Sequence, residues 1–276
     1  METFFSRWFT SSFGYFATIF PWLIVGILIS FLLKKFIRES LVRALLGSDH
    51  FLAIVFAEIA GAFSPVSIIA LIPLAATMLE EGANPATMAA FLLAARAYNP
   101  EALPVSLSSL GLNITLLNLV ITFIAVTACA LFIKKTGLTI TKKELGKDRS
   151  FWEEIAKFII YVIVGVVVAG LIVTAIPAAT VVQFGGKSLL AIPLVIIFGF
   201  LVYLGFVGYF PIAQSFLDLG LSKAAVVTFI SSASVVNLTF LLMFVPVIGR
   251  RKTLQIFAIY LFVIIVSAVL LQLVRL

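Results

Sequence analysis

The chain has 276 residues, of which 63% are hydrophobic and 11% charged, with a net charge of +7 and a mean hydropathy of +1.24. A water-soluble globule of this size needs far more polar surface, so the composition excludes one and places the chain in a lipid bilayer. The basic residues fall in short clusters between apolar runs, which points away from a nucleic-acid partner and toward the loops of a membrane protein.

The apolar runs are continuous rather than alternating, so they are predicted as helices, the form that satisfies its own backbone in lipid. The first is Phe13 to Leu33, preceded by Arg7 and lacking a small-residue cleavage site, which predicts a retained span. Lys34, Lys35, Arg38 and Arg43 follow in an amphipathic connection. Phe51 to Met78, interrupted by Ser64-Pro65 and Pro73, is predicted as one long, tilted and kinked helix ended by Glu80-Glu81-Gly82. From Pro85 a shorter apolar stretch stops at Asn99-Pro100, and another passes Glu101 and Pro104 to Gly111. Leu112 to Ile133 is a clear span, and Lys134 to Arg149 holds six basic residues. Phe151 to Lys157 then leads into a span to Ile176, and a polar turn with Gln183, Gly185, Gly186 and Lys187 precedes a span from Leu190 to Leu217. After Asp218 to Lys223 come an apolar stretch broken at Asn237, the cluster Arg250-Arg251-Lys252, and a last span to Leu273.

The chain is written twice. The 138-residue offset that carries Pro73-Leu74-Ala75 onto Pro211-Ile212-Ala213 also superposes Gly82 on Gly220, Phe91 on Phe229 and Asn99 on Asn237. Duplicated halves around a central site are a common construction of solute carriers. The charges set the relation between the copies: if Lys34 to Asp49 and Lys134 to Arg149 both face the cytoplasm, two long spans and one returning hairpin separate them. The expected fold is therefore all-α and polytopic, with two inverted-topology repeats, each of about three transmembrane helices plus a re-entrant or broken helical hairpin. The hairpins are assigned to Ala86–Leu110 and Ala224–Ile248. The repeats occupy residues 1–133 and 151–276, joined by a basic cytoplasmic loop at 134–150. The alternative is eight full crossings with parallel repeats.

Broken helices at membrane depth are tolerated where protein or a water-filled cavity covers their backbone, which makes the hairpin tips the first candidates for a site. Asn99 and Asn237 occupy those tips and are expected near each other at the midplane; an amide offers donors and acceptors without a charge, and it also caps half-helices well. Arg96 and Glu101 flank the first tip. They suit an anionic solute, a coupling proton or mutual pairing, with snorkelling to the interface as the equal alternative. Pro65, Ser67, Pro73, Pro211 and Gln214 are expected along the path, although kinks and helix contacts explain them too. Glu58 lies near the polar end of its span and is expected to snorkel. The lone His50 reads as interfacial, and the single Cys129 excludes a disulfide within the chain. Gly186-Lys187-Ser188 lacks the first glycine of a phosphate-binding loop, so no nucleotide site, cofactor or metal is expected, and no catalytic set for an enzyme is present.

The run PVSIIALIPLA from Pro65 to Ala75, then Gly82, then AFLLAARAYNPEAL from Ala90 to Leu103, resembles the signature region of a predicted-permease family of bacteria and archaea. That family includes the organoarsenical efflux permeases; NLTFLLMF before Gly249-Arg250-Arg251 resembles its later block. The resemblance implies a multi-pass inner-membrane permease exporting a small solute. Members similar to the arsenical exporters carry a Cys-Ser-Cys pattern where this chain has Ser67, Ile68 and Ile69, so a thiophilic substrate does not carry over. Arg96 stands where the family's hairpin has proline, which hints at an anion-accepting site. The expected partners are the bilayer, a small solute for which an anion is one class, and a coupling proton or sodium ion. A channel and a membrane subunit docking a partner through the basic loop are the alternative functions.

Overall fold

The computed structural model describes residues 3–36, 47–48, 50–64, 68–140, 151–177, 189–202 and 205–274, and every regular element among them is an α-helix. In the first repeat these are α1 (Phe4–Phe36), α2 (Phe51–Ala62), α3 (Ile68–Glu80), α4 (Pro85–Ala97) and α5 (Ala102–Thr136). The second holds α6 (Phe151–Ala175), α7 (Ala191–Leu201), α8 (Gly205–Asp218), α9 (Lys223–Val235), α10 (Leu238–Ile248) and α11 (Arg250–Leu273).

The 138-residue offset is repeated in local geometry. Asn84 caps α4 by accepting from the Ala86 N–H, and its counterpart Ser222 caps α9 by accepting from the Ala225 N–H. Gly111 bends α5 at φ 76°, ψ 172°, and Gly249 makes the same bend between α10 and α11 at φ 84°, ψ 150°. Side chains other than glycine avoid this region, so the two glycines fix where the chain turns back. The hydroxyls of Thr115 and Thr253 close both bends by donating to the Gly111 and Gly249 carbonyls, at 2.8 and 2.9 Å.

Equivalent helices run antiparallel. Near its start α1 meets the end of α6: the Trp8 indole donates to the Val167 carbonyl at 3.0 Å, and Gly170 packs on Ser12. The end of α5 meets the start of α11, where the Lys252 ammonium donates to the Thr136 hydroxyl at 2.9 Å and lies 5.3 Å from the Phe132 ring centroid. Two copies whose matching helices point in opposite directions are inverted repeats.

The broken segments differ from the sequence expectation in their assignment. Ser222, at the start of α9, donates to Gln272 near the end of α11 at 3.0 Å, while the end of α10 is joined to the start of α11 through Gly249. Thus α9 and α10 together run the full length of α11 as one span interrupted at Asn237, rather than folding back as the hairpin assigned to Ala224–Ile248. The first copy agrees. Ile140, beyond the end of α5, packs on the cluster holding Met78, Ala86 and Ala130, so α4 starts at the end of the bundle away from Gly111. The Tyr98 hydroxyl donates to the Leu119 carbonyl at 3.0 Å and sets the break midway. The segments that fold back are the ones read as single spans. Phe51–Met78 divides into α2 and α3, both packed on α4, and Leu190–Leu217 into α7 and α8, both packed on α9. Three spans and one hairpin per repeat result, with the hairpin one element earlier than expected.

Close contact between these elements depends on small residues. A Cβ on Gly61 would collide with the Phe91 carbonyl, and one on Gly199, its counterpart, would come within 2.8 Å of the Ala233 Cβ. Phe229 anchors the second hairpin, its ring centroid 5.7 Å from that of Tyr209 and 5.2 Å from that of Phe216. Phe4–Ile29, Ala102–Thr136, Lys223–Ile248 and Arg250–Leu273 are long and apolar enough to cross a bilayer. Their outward residues, such as Phe9, Phe13, Leu242 and Phe262, form an apolar surface suited to lipid.

Candidate functional site

Where α4 breaks before α5, the chain leaves its helical ladder at Tyr98 and Asn99 and resumes after the Ala102 N–H bonds the Asn99 carbonyl at 2.9 Å. Against this break lies a cavity of about 450 Å³. Asn99, Asn118 and Glu58 line it from the first repeat, and Phe206 and Phe210 from the start of α8 close it from the second. Its rim includes the exposed Ile59, Phe63, Leu103 and Val120, so it opens toward the lipid-facing surface.

A buried polar seam stands behind the cavity. The Ser231 hydroxyl donates to Asn118 Oδ1 at 2.7 Å, and the Tyr260 hydroxyl donates to the Ser231 carbonyl at 3.0 Å. This ties α5 of one repeat to α9 and α11 of the other. Within α5, Ser106 and Thr115 share a hydrogen bond of 2.8 Å across the Gly111 bend. Each hydroxyl is satisfied, as burial in a low-dielectric interior demands.

The tip asparagines are used differently. Asn99 lines the cavity. Asn237 is 0% exposed, and both ends of its amide serve the backbone: Oδ1 accepts from the Phe240 N–H at 2.8 Å and Nδ2 donates to the Ala233 carbonyl at 2.9 Å. Arg96 is buried, with its guanidinium carbon 5.8 Å from the Phe240 ring centroid, a cation–π contact that joins the repeats. Glu101 is buried at the start of α5, and its backbone presses on Gly26 of α1, where no Cβ fits.

Of the expected path residues, Pro65 and Ser67 lie outside the described residues, and for Pro73 only the backbone within α3 is described. The Pro211 ring packs against Gly165, holding α8 on α6. Gln214 belongs to a second, more polar cavity of about 490 Å³, shared with Tyr15, Ser108 and Asp218. There Gln214 donates to Asp218 Oδ1 at 2.9 Å and the Tyr15 hydroxyl donates to Asp218 Oδ2. The two cavities lie on either side of the short helical segment before Gly111, with Ser106 lining the first and Ser108 the second.

Glu58 corrects the sequence reading. It does not snorkel: it is 1% exposed, faces the first cavity, and its Oε2 accepts from the Thr127 hydroxyl at 2.8 Å. The sequence carried a signal for it, an acid inside a 12-residue apolar helix, but the position of that helix behind α4 was not legible.

An all-α bundle of inverted repeats, with a cavity beside one interrupted helix and walled by both repeats, defines the chain as a multi-pass membrane protein of the transporter type. The chain belongs to the predicted permease family, whose model matches it twice, over residues 9–148 and 136–274. It is similar to the UPF0718 protein YcgR of Bacillus subtilis (strain 168), 28% identical over 80 residues. That match covers 29% of this chain and 27% of the relative. No solved structure matches the chain.

Proposed function

We propose that the protein is a secondary permease of the inner membrane that carries a small solute, in the direction of efflux, through the cavity at the α4–α5 break. The observation that supports it most is the position of that cavity: it lies midway along the bundle, beside an interrupted helix, and is walled by both repeats. A site between inverted repeats is exposed alternately to each side when one repeat rocks on the other. The end of the bundle holding Lys134, Lys135 and Arg250 to Lys252 faces the cytoplasm in this reading, and the polar cavity around Asp218 faces outward. The lining favours a small, largely apolar solute, neutral or cationic, over an anion. Its walls are mostly hydrocarbon, its one carboxylate is Glu58, and Arg96 is directed to Phe240.

Uptake of a solute panel into everted membrane vesicles tests the reading, with trivalent methylated arsenicals, small amines and small anions included. One solute should accumulate, and Asn99→Ala should lower its flux about tenfold, the cost of one lost hydrogen bond to the solute. Asn237→Ser, which keeps an acceptor for the α10 cap, should leave flux near the parent value. If a folded parent accumulates no member of the panel, the permease reading fails for those solute classes.

A further inference from the structure

Glu58 combines two features that packing alone does not explain. The carboxylate is almost wholly buried, and only one of its oxygens is used: Oε2 accepts from Thr127, whereas Oε1 is buried with no hydrogen-bond partner. A structural glutamate normally has both oxygens satisfied, because an unpartnered buried acceptor is destabilising and an unpaired buried charge more so. Here the unsatisfied oxygen belongs to a side chain that lines the midplane cavity.

The surroundings narrow what that oxygen binds. Of the helices packed on α2, α4 has Arg96 as its one ionisable side chain, and the Arg96 guanidinium is placed over Phe240. On α5 the ionisable groups are Cys129, which interacts electrostatically with Glu58, Lys134 and Lys135 near the helix end, and Glu101 at its start. Tyr98 at the break and Tyr260 on α11 also interact electrostatically with Glu58. Thr127 is the donor to Oε2, and its hydroxyl hydrogen is directed there, which leaves Oε1 facing the cavity side of the carboxylate. A proton needs one oxygen.

We propose that Glu58 is the proton-binding group of the cavity and couples proton movement to solute movement, an inference that rests on the permease reading above. Cavity water delivers a proton to Oε1, leaving a neutral carboxyl that still accepts from Thr127 through Oε2; release to water on the other side restores the carboxylate. The neutral form relieves the cost of burial when the cavity is closed to water, and the charged form belongs to a cavity open to it.

Infrared difference spectra of the full chain in proteoliposomes, recorded as pH is raised, test the proton site without any solute. The parent should lose a carboxylic-acid carbonyl band. That band should be absent in Glu58→Gln, present in Glu101→Gln, and shifted in frequency in Thr127→Val, which removes the donor to Oε2. A band that persists in Glu58→Gln, or no titrating band in the parent, overturns the proposal. If Glu58→Gln fails to fold, an unshifted band in Thr127→Val overturns it instead. In the same liposomes, a pH gradient should drive solute accumulation in the parent, at least tenfold more than in Glu58→Gln, while exchange of solute across the membrane persists in the variant. Flux that ignores the gradient in the parent overturns the coupling and leaves the permease standing; absence of flux for every solute of the panel removes the permease reading for those solute classes, and the coupling with it.

Discussion

At the scale of single residues, the bundle is held by positions where a side chain is missing. Gly61 lets α2 approach α4 until a Cβ would strike the Phe91 carbonyl, and Gly199 does the same for α7 on α9 beside Phe229. Backbone cannot yield as a flexible side chain does, so Gly61→Ala forces α2 away and loosens the helix that holds Glu58. The expected cost is about 1–3 kcal/mol, read as a lower midpoint of thermal unfolding in detergent; Gly14→Ala, with open space around it, should leave the midpoint unchanged. The sequence shows such positions poorly, because a glycine in an apolar run looks the same whether it meets a neighbour or lipid. Polar residues at the breaks were more legible. Asn99 and Asn237 stand out in an apolar context, yet the same residue type lines a cavity in one copy and caps a helix in the other. The difference lies in which side chains surround them, here the seam from Asn118 through Ser231 to Tyr260, which no local pattern encodes.

At the scale of elements, interruption is visible in sequence and direction is not. Ser64-Pro65 and Asn99-Pro100 both mark breaks, and helices end just before them, α2 at Ala62 and α4 at Ala97. A break followed by a return and a break followed by continuation have the same composition, however. The total lengths, a 28-residue run from Phe51 to Met78 and a polar-interrupted stretch from Ala86 to Leu110, favoured the wrong one for the fold-back. Tertiary contact decides: α2 and α3 both lie on α4, which takes up the surface that each short helix cannot bury alone. The Ser222–Gln272 contact gives a direct check. In a Cys129→Ser background, Ser222→Cys with Gln272→Cys should be joined by a short thiol-to-thiol crosslinker, and Ser222→Cys with Arg250→Cys should not. Crosslinking of the second pair and not the first would mean that α9 and α10 fold back after all.

At the scale of the whole molecule, inversion and charge constrain one another. Inverted repeats require an odd number of crossings in each copy, which three spans and one fold-back supply, and the antiparallel pairs α1 with α6 and α5 with α11 satisfy it. Moving the fold-back from Ala86–Leu110 to α2 and α3 leaves the count intact but exchanges two connections between the faces of the membrane. Glu80 and Glu81 move to the end that carries Lys134 and Lys135, and Lys223 moves to the opposite end with Asp218. The basic majority of the first end survives the exchange, since Arg250 to Lys252 also lie there and the acidic pair contributes little to orientation. Cys129 is buried, so a membrane-impermeant thiol reagent should find the parent nearly silent. In intact cells Lys223→Cys should label and Glu81→Cys should not; in everted vesicles Glu81→Cys should label together with Lys135→Cys, and Lys223→Cys should not. Labelling of Glu81→Cys from the outside would restore the hairpin at Ala86–Leu110. It would also place the α4–α5 break at the tip of a re-entrant loop instead of inside a broken span, and so change which helices must move when the cavity exchanges sides.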